Sequence, residues 1–101
     1  MEYWFSSDAL RGQPLRYLVC LHLIEAGSPQ TVRQLVAAME AKGYVIAGRA
    51  SKTMSDTLRT EVSRGRALRV GRGRYVAGRT PRSTVWWMQR RINELVDVTA
   101  H

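Results

Sequence analysis

Arginine is the residue type with the clearest chemistry in this chain of 101 residues. Residues 49–91 hold 12 basic and 2 acidic side chains, a net charge of +10, whereas residues 1–48 hold 4 of each. The guanidinium group is planar and donates paired hydrogen bonds, which suits phosphate oxygens and the edge of guanine. A GC-rich genome would also favour arginine over lysine, but it would not cluster the charge. We therefore expect a polyanionic partner.

The residue types needed for catalysis are sparse. His22 falls within an apolar stretch and His101 ends the chain, and no acidic pair stands at a useful spacing from a basic partner. Cys20 lies among apolar neighbours and is interpreted as a small core residue. The segment Gly71-Arg72-Gly73 lacks the later glycine and the following helix of a dinucleotide-binding loop. We expect no enzyme activity, no cofactor and no metal site.

Composition limits the class of protein. One cysteine excludes a disulfide within the chain, and the uncharged run 17–24 is far shorter than the roughly 20 residues that span a bilayer. The first residues carry neither a basic start nor a cleavage site for secretion. We expect a single soluble domain in the cytoplasm, associated with the nucleoid if its partner is DNA.

Two helices are predicted in the first half of the chain. The first covers 14–26, with Pro14 at its first position and apolar residues at helical spacing. The second covers 32–42, where Thr31 and Gln34 form a capping-box pair in front of an amphipathic pattern.

A third helix is predicted from Lys52 to about Arg64, with Ser51 as its cap. Its inward line is Met54, Leu58 and Val62. The opposite face is polar and combines short side chains with basic ones. It consists of Lys52, Ser55, Asp56, Arg59, Thr60 and Ser63.

A β-hairpin is predicted over 68–78. Gly71-Arg72-Gly73 supplies a turn with positive φ angles, and Leu68 and Val70 alternate with Arg69 on the first strand. On the second strand Tyr75 and Ala77 alternate with Arg74 and Val76, and Tyr75 is expected to pack the hairpin onto the helices.

A last helix begins near Ser83 or Thr84 and runs to about Val98. Its apolar stripe includes Val85, Met88, Ile92 and Leu95, while Trp86 and Trp87 lie off the stripe. Two interpretations stay open. The stripe and the tryptophans could pair two copies of the chain, or the helix could fold back on the first helix. The aromatic side chains of Tyr3-Trp4-Phe5 must also be shielded from water, either by packing with the other aromatic residues or by contact with a second subunit.

The order of these elements carries a family resemblance. Helix, capped helix, polar-faced helix and basic hairpin follow one another as in a winged helix-turn-helix DNA-binding domain. Residues 51–55, Leu58 and the hairpin 70–75 are similar to the HARE-HTH type of that fold, and the turn also resembles small bacterial winged-helix regulators. The predicted fold class is α+β, mainly helical. The expected organisation is an arm at 1–13, the winged domain at 14–78 and an extra C-terminal helix within 79–101.

The resemblance implies a role for each element. The third helix would enter the major groove, with Lys52, Ser55, Asp56 and Arg59 near base edges and Ser51 near phosphate. The hairpin would be the wing, with Arg72 and Arg74 at the minor groove. The remaining arginines would contact the phosphate backbone; they are Arg49, Arg64, Arg66 and Arg69. The connection 43–50 is longer than the turn of simple helix-turn-helix proteins, which leaves the angle between helices two and three open.

Together, these interpretations predict a small transcriptional regulator or an accessory protein that binds double-stranded DNA. We expect a homodimer that pairs through Val85, Met88, Ile92, Leu95, Trp86 and Trp87. Two alternatives remain open, a protein-interaction module that uses the aromatic terminal segments and an RNA-binding protein.

Overall fold

Four helices and three short strands make up residues 10–100, the part of the chain that the computed structural model describes, with side chains described as far as Glu94. The elements are α1 (Gly12–Ala26), β1 (Gln30–Thr31), α2 (Val32–Ala41), α3 (Ala50–Ser63), β2 (Ala67–Gly71), β3 (Arg74–Ala77) and α4 (Arg82–Ala100). The chain is thus an α+β protein, as predicted. Strand β1 has no counterpart among the elements predicted from the sequence.

Helix α1 lies at the centre of the core. Its residues Leu15, Val19 and Leu23 are almost fully buried, in keeping with a helix that is apolar on most sides. It begins at Gly12, two residues earlier than predicted, so Pro14 occupies its third position. Proline is tolerated there because the first N–H groups of a helix have no partner within the helix.

The predicted boundary of the N-terminal arm at residue 13 is wrong, because residues 10–13 belong to the folded domain. Leu10 is 1% exposed and joins the core. Its N–H donates to the carbonyl oxygen of Val45 at 2.6 Å, and the N–H of Ala47 donates to its carbonyl oxygen at 2.9 Å. These bonds form a parallel bridge between Leu10 and Ile46. The chain is therefore fixed from Leu10 onward; Tyr3, Trp4 and Phe5 lie outside the described residues.

The capping box of α2 is confirmed. The N–H of Gln34 donates to Thr31 Oγ1 at 3.1 Å, and the N–H of Thr31 donates to Gln34 Oε1 at 2.8 Å. These reciprocal bonds satisfy two N–H groups at the start of the helix. The buried face that follows is formed by Leu35 and Met39.

The predicted cap of α3 is wrong. The helix begins at Ala50 with Arg49 as its N-cap residue, so Ser51 already lies in the first turn. No side chain caps the helix at Arg49; instead Thr53 Oγ1 donates to the carbonyl oxygen of Ala47 at 2.6 Å. That bond links the connection before α3, through Ala47, to Thr53 in the first turn of the helix.

The inward line of α3 was correct for Met54 and Leu58, which are fully buried, but wrong for Val62, which is 38% exposed. Each helical residue advances by about 100°, so a residue eight positions after Met54 is rotated by about 80° from it. Glu61, seven positions after Met54, is rotated by only about 20° and is 0% exposed. Helix α3 thus buries the carboxylate of Glu61, whereas the neighbouring Val62, which was predicted to be buried, is partly exposed.

The strands form one antiparallel sheet in the order β1-β3-β2. Ala67 pairs with Ala77, Leu68 with Val76 and Arg69 with Tyr75. Directly opposed residues share a face of the sheet, so Leu68 lies on the outer face with Val76. Leu68 and Val70 are 52% and 53% exposed, so the apolar residues that alternate with Arg69 on β2 face solvent. Tyr75 packs against the core, as predicted.

The tip of the hairpin is Arg72–Gly73, since Gly71 pairs with Arg74. Gly73 has a φ of 68°, whereas Gly71 has no positive φ, so one glycine of the predicted turn adopts the left-handed conformation. The base of the hairpin is closed by Gly78, whose N–H donates to the carbonyl oxygen of Arg66 at 2.8 Å. A Cβ atom at Gly78 would overlap the carbonyl oxygen of Gly65.

Helix α4 folds back on α1, which was one of the two open interpretations. Met88 and Ile92, both predicted at a dimer interface, are 1% and 5% exposed within the single chain. Val85 is half-buried, and Trp86 and Trp87 are 54% and 63% exposed. The side chain of Leu95, the remaining predicted interface residue, lies outside the described residues. Met88 and Ile92 are therefore corrected to residues buried within the chain.

Candidate nucleic-acid interface

The outer face of α3 is a polar stripe open to solvent. Lys52, Asp56, Arg59 and Ser63 recur at helical spacing on this side and are all exposed. The side chains of Lys52 and Arg59 are 70% and 80% exposed. Helices α1 and α2 and strand β2 pack against α3, and none of them covers this stripe. We call these four residues the α3 stripe.

The cations of the α3 stripe share one carboxylate. Lys52 Nζ lies 3.1 Å from Asp56 Oδ2, and Arg59 Nη1 lies 3.4 Å from Asp56 Oδ1. Ion pairs this exposed contribute little free energy because water and salt screen them. Both cations can therefore exchange the carboxylate for another anion at small cost.

The side chains around the α3 stripe include short hydroxyl residues that extend only a little way from the helix. Thr60 Oγ1 donates to the carbonyl oxygen of Asp56 at 3.2 Å, and Ser63 Oγ donates to that of Thr60 at 2.7 Å. Ser51 is exposed and Ser55 is half-buried. Because these hydroxyls fold onto or lie close to the helix, a large surface can approach the α3 backbone closely.

The hairpin carries a second group of cations. Arg69, Arg72 and Arg74 are exposed, with Arg72 at the tip. Arg69 Nε donates to the carbonyl oxygen of Gly71 at 3.3 Å, which holds the Arg69 side chain along the strand. Exposed Leu68 and Val70 lie next to these arginines on β2. The hairpin thus presents both guanidinium groups and apolar side chains to solvent.

Arg66 does not belong to this exposed set. Its Nε donates to Glu61 Oε1 at 2.9 Å and its Nη2 donates to Glu61 Oε2 at 2.7 Å, a two-point pair around a fully buried carboxylate. The bond to Glu61 raises the pKa of Arg66 above its usual value. The predicted phosphate contact at Arg66 is corrected to a structural role, because its guanidinium group is committed to Glu61.

The Glu61–Arg66 pair fastens α3 to the hairpin. The N–H of Arg66 also donates to the carbonyl oxygen of Glu61 at 2.9 Å. Side-chain and backbone bonds between these two residues therefore both stabilise the connection between α3 and β2. Removing one partner would leave an uncompensated buried charge. Sequence reasoning missed this pair, although the position of Glu61 at seven residues after Met54 was the available signal.

Cys20 lies close to this pair and is buried, as predicted. Burial raises the pKa of its thiol and the charge of Glu61 adds to the increase, while the bond to Thr80 and the charge of Arg66 oppose it. Its Sγ atom lies 3.8 Å from Thr80 Oγ1. A thiol held protonated inside the core is a poor nucleophile.

Arg49 and Arg64 lie at the two ends of α3, at its N-cap and C-cap positions, and both are exposed. The structure thus brings Lys52, Asp56 and Arg59 into direct contact and continues the basic surface along the helix axis. The remaining exposed arginines of the predicted set, Arg69, Arg72 and Arg74, lie on the separate hairpin.

A second exposed cluster, absent from the predicted DNA-binding set, lies on α4. The rings of Trp86 and Trp87 are 5.2 Å apart and nearly perpendicular. The guanidinium carbon of Arg90 lies 5.2 Å from the ring of Trp86 and 5.9 Å from that of Trp87, within the range of cation–π contacts. Sequence reasoning singled out the two tryptophans but not Arg90, which is one helical turn further along.

Comparison with family models, with curated proteins and with solved structures found no match to this chain. In the described part of the chain, no helix combines the length and the apolar character needed to cross a membrane. No group of three potential metal ligands occurs among the described residues. The function is therefore inferred from the surfaces described above.

Proposed function

We propose that this chain is a small winged-helix protein that binds double-stranded DNA through α3 and the β2–β3 hairpin. It would act as a transcriptional regulator or as an accessory DNA-binding protein. In this proposal the α3 stripe enters the major groove and the hairpin is the wing. The order α1, α2, α3 and hairpin supports this fold, as does β1, which joins β3 and ties the wing to the helical core.

The observation that carries the proposal is the exposed α3 stripe together with the basic hairpin, which follows α3 directly after the buried Glu61–Arg66 pair. The stripe has two cations in solvent, and the buried Glu61–Arg66 pair fixes the hairpin relative to α3. A fixed geometry matters because a helix and a wing must contact two parts of a duplex at once, and prior rigidity reduces the entropy lost on binding.

The chemistry of each position follows from its side chain. Arg59 can donate two hydrogen bonds to a guanine edge, and Asp56 can accept one from cytosine N4. Arg72 at the hairpin tip suits a narrow minor groove, where the negative potential is strongest. Phosphate contacts fall to the exposed Arg49, Arg64 and Arg69, while Lys52 accompanies Arg59 in the major groove and Arg74 accompanies Arg72 at the minor groove.

Duplex binding measured across a salt series tests the proposal. We expect the affinity for a fluorescent random-sequence duplex to fall with salt by about 0.9 in log K per log unit of salt for each phosphate neutralised. Arg72→Ala should weaken binding to all sequences and reduce that slope by about 1. Arg59→Ala should cost about 1–3 kcal/mol on a selected sequence and relax its specificity.

Arg91→Ala is the matched control, because it removes the same charge from an exposed position on α4. We expect it to leave duplex affinity nearly unchanged. Equal losses in all three variants would reduce the interaction to net charge and contradict the assigned surface. An RNA duplex of the same sequence should bind more weakly, since its major groove is too narrow and deep for α3; stronger RNA binding would favour the RNA-binding alternative.

A protein-docking function is the second candidate, and the exposed Trp86 and Trp87 favour it. Tryptophan is enriched at the centres of protein interfaces, and the Trp86 ring borders a groove of about 750 Å³ with Ile24 and Val85. Trp86→Ala/Trp87→Ala should leave duplex binding intact if the two surfaces act separately. A loss of duplex binding in this variant would contradict their independence.

A further inference from the structure

A groove of about 310 Å³ lies between α1, α4 and the segment that follows α2. This volume is at the lower end of the range of small-molecule sites. Its polar lining includes His22 and Glu25 of α1 and Lys42 after α2, and its apolar lining includes Leu21 and Ile92. We call it the α1/α4 groove. Polar groups beside a short apolar floor suit a small ligand that has both charged groups and a hydrocarbon part.

Glu25 and Lys42 bring opposite charges to the α1/α4 groove from different elements. Glu25 lies in the last turn of α1, and Lys42 is the C-cap residue of α2. Both residues are exposed, and neither forms an ion pair with another described residue. A single ligand can therefore meet a carboxylate and an ammonium group in the same groove.

Glu25 is unfavourably placed within its own helix. Carbonyl groups at the end of a helix carry a partial negative charge, which repels a carboxylate in the last turn. The last turn of α1 contains no basic residue that could offset this repulsion. Lys42, by contrast, has the charge that suits the end of α2. The groove thus favours a ligand that brings a cationic group to the side of α1.

His22 adds an independent observation. Its Nδ1 atom is buried and has no hydrogen-bond partner among the described residues. A buried polar atom without a partner costs free energy, so a ligand that bonds to it is stabilised relative to one that does not. His22 precedes Glu25 by three residues, so the two side chains lie on the same side of α1. When Nε2 carries the ring proton, Nδ1 accepts, and one ammonium group can donate to both residues.

We propose that the α1/α4 groove binds a small zwitterion, an α-amino acid with an apolar side chain. Its ammonium group faces Glu25 and His22, its carboxylate faces Lys42, and its side chain packs on Leu21 and Ile92. The groove shares no residue with the α3 stripe or the hairpin. Binding of the amino acid therefore succeeds or fails independently of the proposed function.

An amide NMR titration of isotope-labelled protein with L-leucine tests this site. We expect saturable shifts around residues 21–25, 42–44 and 89–93, with one ligand bound per chain. Two probes of the same carbon skeleton separate the charges: isocaproate lacks the ammonium group and isopentylamine lacks the carboxylate. Each should bind several-fold more weakly than leucine, because each leaves one charged residue of the groove without its partner.

Substitutions assign each charge to its residue. Glu25→Gln should raise the Kd for leucine several-fold but leave the Kd for isocaproate nearly unchanged. Lys42→Gln should weaken leucine and isocaproate but not isopentylamine. The control is Glu40→Gln, which removes the same charge as Glu25→Gln from an exposed residue that lines a separate groove beside Ser51. It should not change the Kd for leucine, and circular dichroism checks that each variant is folded.

Three results would overturn the proposal. The first is that none of L-leucine, L-methionine and L-phenylalanine gives saturable shifts around the groove in the millimolar range. The second is that isocaproate or isopentylamine binds as tightly as leucine, which would exclude recognition of a zwitterion. The third is an equal loss of leucine binding in Glu25→Gln and Glu40→Gln.

Discussion

At the scale of single residues, the proposed DNA-binding surface has an acidic residue at its centre. Asp56 accepts from both Lys52 and Arg59, so the two cations are held next to each other before any ligand arrives. The same carboxylate repels phosphate. Asp56 thus favours sequences in which it finds a donor in the groove and opposes indiscriminate binding.

Asp56→Asn should tighten binding to random duplex by roughly 0.5–1 kcal/mol, because it removes the repulsion and releases both cations. The measurement is fluorescence anisotropy at fixed salt. Glu94→Gln makes the same change of charge on α4, where Glu94 pairs with Arg90 and Arg91, and should have little effect. An equal gain in both variants would show that only net charge matters.

Cys20 predicts a pH dependence of stability. Burial raises the pKa of its thiol, so the folded state retains a proton that the unfolded state releases near the ordinary thiol pKa. This stabilisation is complete below the unfolded pKa and is lost as pH rises through the folded value. The free energy of unfolding should therefore decrease as pH rises above the ordinary thiol pKa of 9.0.

Urea unfolding at several pH values measures this slope, and Cys20→Ala should flatten it. Burial also raises the pKa of Tyr44, but from an ordinary value of 10.0, so Tyr44 acts with the same sign at higher pH. An unchanged slope in Cys20→Ala would assign the pH dependence to other groups.

At the scale of elements, the junction between α3 and the hairpin decides the geometry of the proposed surface. Glu61 and Arg66 close it through their side chains, and Gly78 closes it through its backbone. Gly78 has no room for a Cβ atom, because the carbonyl oxygen of Gly65 and the backbone of Arg66 occupy that space.

Gly78→Ala should lower the free energy of unfolding by about 1–3 kcal/mol, since the two backbones must separate to admit the methyl group. It should also weaken duplex binding, as the hairpin shifts relative to α3. Gly71→Ala is the control. Its Cβ would lie 3.8 Å from the nearest atom of Arg74, an ordinary contact, and its stability should change by less than about 0.5 kcal/mol. Equal effects of both substitutions would contradict a close approach at Gly78.

Elements held by local interactions were predictable from the sequence. The capping box of α2 depends on residues three apart, and the turn at Gly73 on one glycine, so both follow from short-range pattern. The exposure of Val62 and the outward position of Leu68 did not follow, because helix phase and strand pairing decide them. For the site, the exposed polar face of α3 was predictable. The role of Arg66 was not, because its guanidinium group pairs with Glu61, whose burial the sequence pattern did not indicate.

At the scale of the whole molecule, the proposed DNA-binding arginines and the exposed Trp86 and Trp87 belong to different parts of the fold. The exposed arginines of the proposed interface lie on α3, at its two ends and on the hairpin, while the exposed tryptophans lie on α4. The apolar stripe of α4 was compatible with two partners, since α1 and a second copy offer the same chemistry. Burial of Met88 and Ile92 within one chain is a tertiary outcome that periodicity does not determine.

The proposal of duplex binding is tested most directly by mapping the contact residue by residue. A titration of isotope-labelled protein with a DNA duplex, followed by amide NMR shifts, reports each position separately. We expect the largest shifts in 49–64 and 69–74 and small shifts in α4. Shifts confined to α4, or no shifts at low salt, would contradict DNA binding by α3 and the hairpin.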